Sequence, residues 1–201
     1  GLVPNLKFSS KDIVFLFPGV GSEYDGMAAG LSSPIFRCHF DSAARLFHEN
    51  GCEVTLGRPD LHSALGACSS VFCTSYAMAR TLLDSGIRPR VLVGHSFGSW
   101  VAAAVSGIVS LDDAVKVCMV GAAIAQEVGG AITSIDGLSA LDVQTMIDDH
   151  TPPLFSCDVA CVNGSLGPIA VSGDFVSIQM IEKTAIDKGA SVQRLPVHGA
   201  G

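Results

Sequence analysis

With 201 residues, 48% of them hydrophobic and only 15% charged, the chain can build a sizeable packed core, which excludes an intrinsically disordered protein. A formal net charge of -7 argues against nucleic acid and against anionic membrane as partners, while leaving room for a local basic patch. Seven cysteines without a C-x-x-C pair, a metal-ligand spacing or a secretory signal before them read as reduced, mostly buried thiols of a cytoplasmic protein.

Residues 1–11 read as a linker. The apolar run Ile13 to Phe17 stops at Pro18-Gly19 and predicts a buried parallel strand. The loop PGVGSEYDGM follows. Apolar residues at helical spacing predict helices from Pro34 to Asn50 and from Ser70 to Ser85, the second closed by Gly86. Arg90 to Val93 predicts a second short buried strand, ending in Gly94, and Phe97 to Val105 a buried helix in which Trp100 reads as core. Leu111 to Gln126 predicts a further helix, with Ser110 as N-cap and Asp112 and Asp113 in its first turn. The apolar stretches are broken by charges, Gly or Ser, so no transmembrane helix is expected.

The pattern then changes. A strand at 131–135, a helix at 140–149, strands at 159–162 and 169–172 around the turn NGSLGP, a helix at 175–188 and a strand at 191–195 give the order of a split βαβ, ferredoxin-like unit. The expected fold class is therefore α/β: a hydrolase-like large subdomain with a parallel sheet and a nucleophile elbow, plus a small ferredoxin-like α+β subdomain. The expected boundaries are 1–127 for the large subdomain, 128–197 for the small one, and 198–201 for a return to the large subdomain.

The sharpest chemical signal is Gly94-His95-Ser96-Phe97-Gly98, which matches G-x-S-x-G between a strand and a small-residue helix. Such a turn presents the serine hydroxyl at a helix N-terminus, where N–H groups favour developing negative charge. Ser96 is the candidate nucleophile. The backbone N–H of Phe97 is one candidate oxyanion donor, and the glycine loop Pro18-Gly19-Val20-Gly21-Ser22 is placed to supply another. That loop has neither the G-x-G-x-x-G nor the Walker spacing of a phosphate-binding loop.

Four segments in order carry a resemblance. FLFPGVGSEYDGM resembles the F-x-F-P-G-Q-G-S-Q…G-M opening of the malonyl-CoA:acyl-carrier-protein transacylases and of the acyltransferase domains of fatty acid and polyketide synthases. GHSFGSW resembles their G-H-S-x-G-E, VNGSLGPIAVSG their N-x-P-x-Q-x-V-I-S-G, and RLPVHGAG the L-P-V-S-x-A-F-H that carries the catalytic histidine. The resemblance implies a ping-pong reaction: Ser96 is acylated by acyl-CoA, and the acyl group passes to the phosphopantetheine thiol of an acyl-carrier protein. It implies Val20 and Phe97 as oxyanion donors, His95 as a residue shaping the acyl site, neighbouring synthase domains as partners, and no bound cofactor or metal.

The departures carry expectations too. Met119-Val120-Gly121 stands where malonyl-binding members have Met-Arg-Gly, so Val120 leaves a substrate carboxylate unpaired and an uncharged acyl group is expected, unless Lys116 or Arg80 takes over. Gly201 stands for the phenylalanine of A-F-H and leaves room for a longer acyl chain. The family histidine aligns just after Gly201; either the chain is cut before its base, or His198 has taken that role. Two other readings stay open: a serine thioesterase or acyl hydrolase, and a non-catalytic piece of a synthase.

Overall fold

The computed structural model describes residues 13–150, 156–164 and 167–195; the linker at 1–11, part of the turn NGSLGP, His198 and Gly201 lie outside them. The described residues fall into two compact units, one ending at Ala122 and the other beginning at Ala123.

The first unit contains strand β1 (Val14–Phe17), helices α1 (Pro34–Glu49) and α2 (Ala64–Asp84), strand β2 (Val91–Gly94), helix α3 (Gly98–Ser106) and most of helix α4 (Leu111–Val128). β1 and β2 pair in parallel, Val14 opposite Val91 through Phe17 opposite Gly94. This register sets the ends of both strands side by side, so the loops that leave them are neighbours. The aromatic residues of α1 and α2 form the core. Phe36, Phe47 and Phe72 are fully buried, and the Phe47 and Phe72 rings meet edge to face with centroids 5.7 Å apart.

Three expectations need correction here. α2 starts at Ala64, six residues before Ser70, because the Ser63 hydroxyl caps it by accepting from the Gly66 N–H. β1 and β2 are buried on one face only: Leu16 is 74% exposed, and Val14, Val91 and Val93 are also exposed. Trp100 is an exposed residue rather than a core one. Both strands carry apolar residues on both faces, as parallel strands covered on both sides do.

The second unit is the end of α4 followed by β3 (Ala131–Asp136), α5 (Ala140–His150), β4 (Cys157–Val162), β5 (Ile169–Gly173), α6 (Phe175–Asp187) and β6 (Ser191–Arg194). Its sheet is antiparallel in the order β4-β5-β3-β6, the ferredoxin-like arrangement. Ile135, Ile169, Val171, Ile178 and Ile181 pack its separate core. Asp174 caps α6 by accepting from the Val176 and Ser177 N–H groups.

All seven cysteines are free thiols, five of them buried. Among the described residues no helix is long and apolar enough to cross a membrane.

α1 and α2 are also joined by His39 Nε2 and Asp84 Oδ2 at 2.7 Å. The hydrogen bond from His39 holds the Asp84 carboxyl below the usual carboxylate range. A depressed pKa contributes stability that is present above the unfolded value and is lost as pH falls through the folded one. Asp84→Asn is therefore expected to lower unfolding stability at neutral pH. The gap to the parent should close as pH drops below about 4. Urea titrations of both proteins from pH 7 to pH 3 check this, and a gap independent of pH would contradict it.

Candidate active site

The site begins where β2 ends. Between Gly94 and α3 the backbone turns through His95, Ser96 and Phe97. Ser96 takes φ +49, a left-handed conformation that costs a non-glycine residue about 1–2 kcal/mol. Only Ala28 shares a positive φ among the described non-glycine residues. The turn is held by Gly98 N–H to His95 O at 2.9 Å, Ser99 N–H to Ser96 O at 3.0 Å and Trp100 N–H to Phe97 O at 3.1 Å. Ser96 and His95 are both exposed. The serine hydroxyl is thus carried at the tip of a strained strand-to-helix turn, at the N-terminal end of α3.

The two motif glycines have a measurable reason. A Cβ on Gly94 would lie 2.3 Å from the Ser99 Cα and N. A Cβ on Gly98 would lie 2.3 Å from Phe17 O and 2.5 Å from Pro18 O. Every one of these partners is backbone, so no rotamer change relieves the clash. The first glycine lets the strand meet the helix, and the second lets the helix meet the loop after β1.

That loop lies against the elbow. The His95 N–H donates to Phe17 O at 2.9 Å, and a Cβ on Gly19 would stand 3.1 Å from His95 O and 3.4 Å from Ser96 Cβ. The Ser22 hydroxyl donates to Gly19 O at 2.7 Å, and the Gly21 N–H donates to the Glu23 carboxylate at 2.8 Å. Among the described residues no acceptor takes the N–H of Val20 or of Phe97. The Phe97 ring is anchored edge to face on Phe72, centroids 6.5 Å apart.

Val20, which follows Gly19, and Phe97, which follows Ser96, also share a support. Both pack, with Leu65, on a small cluster of Ala64, Cys68 and Ala122. No motif marks these three residues; their only signal in the sequence is the run of small residues ahead of Ser70 and in the middle of α4. Val120, by contrast, is 59% exposed and sits about 200° around α4 from Ala122. Gly121 lies between them, and a Cβ there meets nothing within 4 Å. Lys116 is paired with Asp112 at 2.5 Å. Arg80 lies beside Asp84, twelve residues and so about 18 Å along α2 from Cys68.

A parallel strand pair, a strained serine elbow and a facing glycine loop, with a ferredoxin-like second unit, define the hydrolase-like α/β class of acyl-transferring folds. The chain belongs to the acyl transferase domain family, whose match runs over residues 14–155.

It is 31% identical over 196 residues to a phenolphthiocerol/phthiocerol polyketide synthase polypeptide of Mycobacterium tuberculosis, covering 93% of this chain and 13% of that protein. It is 31% identical over 201 residues to erythronolide synthase EryA3 of Saccharopolyspora erythraea, covering 94% of this chain and 6% of that protein. The chain therefore spans a small part of these relatives. Its fold superposes on the acyl transferase domain of SpnD in complex with 2-(pent-4-yn-1-yl)malonyl with a TM-score of 0.84 at 27% identity, over 99% of this chain and 48% of that one. The malonyl CoA-acyl carrier protein transacylase of Coxiella burnetii shares the fold, with a TM-score of 0.82 at 23% identity, over 94% of this chain and 63% of that one.

Proposed function

We propose that the chain carries an acyl group on Ser96 between acyl-CoA and the phosphopantetheine thiol of an acyl-carrier protein, in cytoplasmic polyketide or fatty acid synthesis alongside neighbouring synthase domains. The observation that carries this is the elbow: a strained, exposed Ser96 beside two backbone N–H groups that have no acceptor among the described residues.

In the first half-reaction the Ser96 Oγ attacks the thioester carbonyl carbon. A C–O bond forms, the carbonyl oxygen takes the negative charge, and the Val20 and Phe97 N–H groups donate to it. Collapse breaks the C–S bond, and the serine proton ends on the departing CoA thiol. In the second, the carrier thiol attacks the ester carbonyl, the C–O bond to Ser96 breaks, and the proton returns to Oγ. Proton transfer in both directions needs a base. The family resemblance assigns it to the histidine motif that begins at Leu195, whose histidine in this sequence is His198.

The acyl group is uncharged in this reading. The α4 stretch from Met119 to Ala122 offers no cation, Lys116 is engaged by Asp112, and Arg80 lies far along α2. A malonyl carboxylate would find no partner cation on this stretch, and a carboxylate taken out of water unpaired costs several kcal/mol.

Intact mass of the full-length polypeptide after exposure to acetyl-, hexanoyl- and malonyl-CoA tests both parts. An acyl adduct is expected with the uncharged donors, and none in Ser96→Ala. An adduct that survives Ser96→Ala would remove Ser96 as nucleophile; a malonyl adduct forming as fast as the others would remove the substrate assignment.

A further inference from the structure

We propose that the layer of small side chains beneath Val20 and Phe97, namely Ala64, Cys68 and Ala122, sets the spacing of the two oxyanion donors, with Cys68 as its positioning residue. The inference rests on the acyl-enzyme reading above and deepens it.

Ala64, Cys68 and Ala122 are 4%, 6% and 3% exposed, and the side chains packed on them are Val20, Leu65 and Phe97. Two of those three residues carry the donors. They arrive from different elements: Val20 from the loop after β1, Phe97 from the turn before α3. No hydrogen bond among the described residues joins one to the other, so their separation depends on what each rests upon. One support is backbone against backbone, where Gly98 meets Phe17 O and Pro18 O. The other is this layer. α2 supplies Ala64 and Cys68, one turn apart on one face, and α4 supplies Ala122.

Cys68 has the largest side chain of the three, so its volume sets how deep the two residues sit. Its role is steric rather than nucleophilic. Burial, with the Glu23 carboxylate adding to it, pushes the thiol up to about 12, which leaves it neutral. Glu23 is also the acceptor of the Gly21 N–H, so the loop that bears Val20 and the thiol share a neighbour. Interiors are packed densely enough that one added methylene is felt, and a shift of about 1 Å in a reacting geometry costs about 100-fold in rate.

The test is single-turnover acylation of Ser96 in the full-length polypeptide, over a range of hexanoyl-CoA concentrations. The parent protein is read first. If it forms no Ser96 adduct, the acyl-enzyme reading fails and takes this inference with it. Given an adduct, Cys68→Ser should keep the rate within about threefold, because it preserves shape. Cys68→Met should lower the saturating rate constant by about 10- to 100-fold, with the half-saturating donor concentration changed by less than about twofold. Adding Ala122→Gly to Cys68→Met, which returns volume to the layer, should recover about tenfold of that loss. If Cys68→Met proves too poorly folded to assay, Cys68→Val applies the same pressure in a smaller step. Acylation at the parent rate in the enlarged variant overturns the inference. So does a loss that the double variant fails to recover.

Discussion

Gly98→Ala is expected to lower Ser96 acylation by at least about 100-fold, at a cost in stability of only about 1–3 kcal/mol. The added methyl would sit 2.3 Å from Phe17 O and 2.5 Å from Pro18 O. The Phe17 carbonyl cannot swing aside, because Phe17 ends β1 and its oxygen accepts the His95 N–H. The relief available is to push the loop after β1 away from α3. That loop holds Gly19, against His95 and Ser96, and Val20 with its N–H. Separating the loop from the elbow therefore moves the Val20 N–H, the proposed oxyanion donor, while Ser96 keeps its place on the turn. Losing one such donor costs about 10²–10³ in rate. Gly30→Ala is the matched control: a Cβ there meets nothing within 4 Å and its φ is unremarkable, so activity should stay at the parent level. Acylation rate and melting temperature measured side by side decide the matter. A Gly98→Ala protein that melts slightly lower yet acylates normally would show that the loop does not position a donor.

The same steric facts explain which parts of the molecule could be read in advance. A requirement for glycine at 94 and 98 is imposed by backbone atoms under 2.6 Å away, so residue type alone reports it, and the elbow was legible. The ferredoxin-like order was legible for a related reason: alternation in β3 and β5 and the apolar face of α6 each point one way. The start of α2 was not. Apart from Leu65, its first turns are Ala64, Gly66, Ala67, Cys68 and Ser69, small or weakly helix-forming residues that carry no periodic apolar signal, yet they are buried because small size is what their position needs. The layer under Val20 and Phe97 leaves no periodic signal in the sequence for the same reason. β1 and β2 failed differently. Their apolar residues on both faces fit strands covered on both sides, whereas the described residues cover only the face of Phe15, Phe17 and Leu92. Position 120 shows the limit of motif alignment: a shift of one residue on a helix moves a side chain by about 100°, and it is the buried face of Ala114, Val115, Cys118 and Ala122 that orients α4.

That one-residue ambiguity makes the second large prediction discriminating. Arginine introduced in the middle of α4 is expected to convert the site toward carboxylated acyl groups, raising malonyl-CoA acylation relative to hexanoyl-CoA by at least about tenfold. A guanidinium meets a carboxylate with two parallel hydrogen bonds, a geometry lysine does not reproduce. Gly121→Arg is favoured over Val120→Arg for a physical reason. A side chain at 121 grows into open space next to the face that bears Ala122, whereas Val120 is exposed and about 200° away from it. Replacing a mid-helix glycine also gains about 1 kcal/mol of helix propensity, so a change in selectivity would not be confounded with unfolding. Competition between malonyl- and hexanoyl-CoA for Ser96, read by intact mass, separates the outcomes. A switch in Gly121→Arg alone places the carboxylate-recognition position at 121. A switch in Val120→Arg alone places it at 120, as the motif alignment has it. If neither variant gains malonyl while both still form the hexanoyl ester, the absence of an arginine on α4 is not what selects the acyl group, and the assignment of an uncharged substrate loses its physical basis.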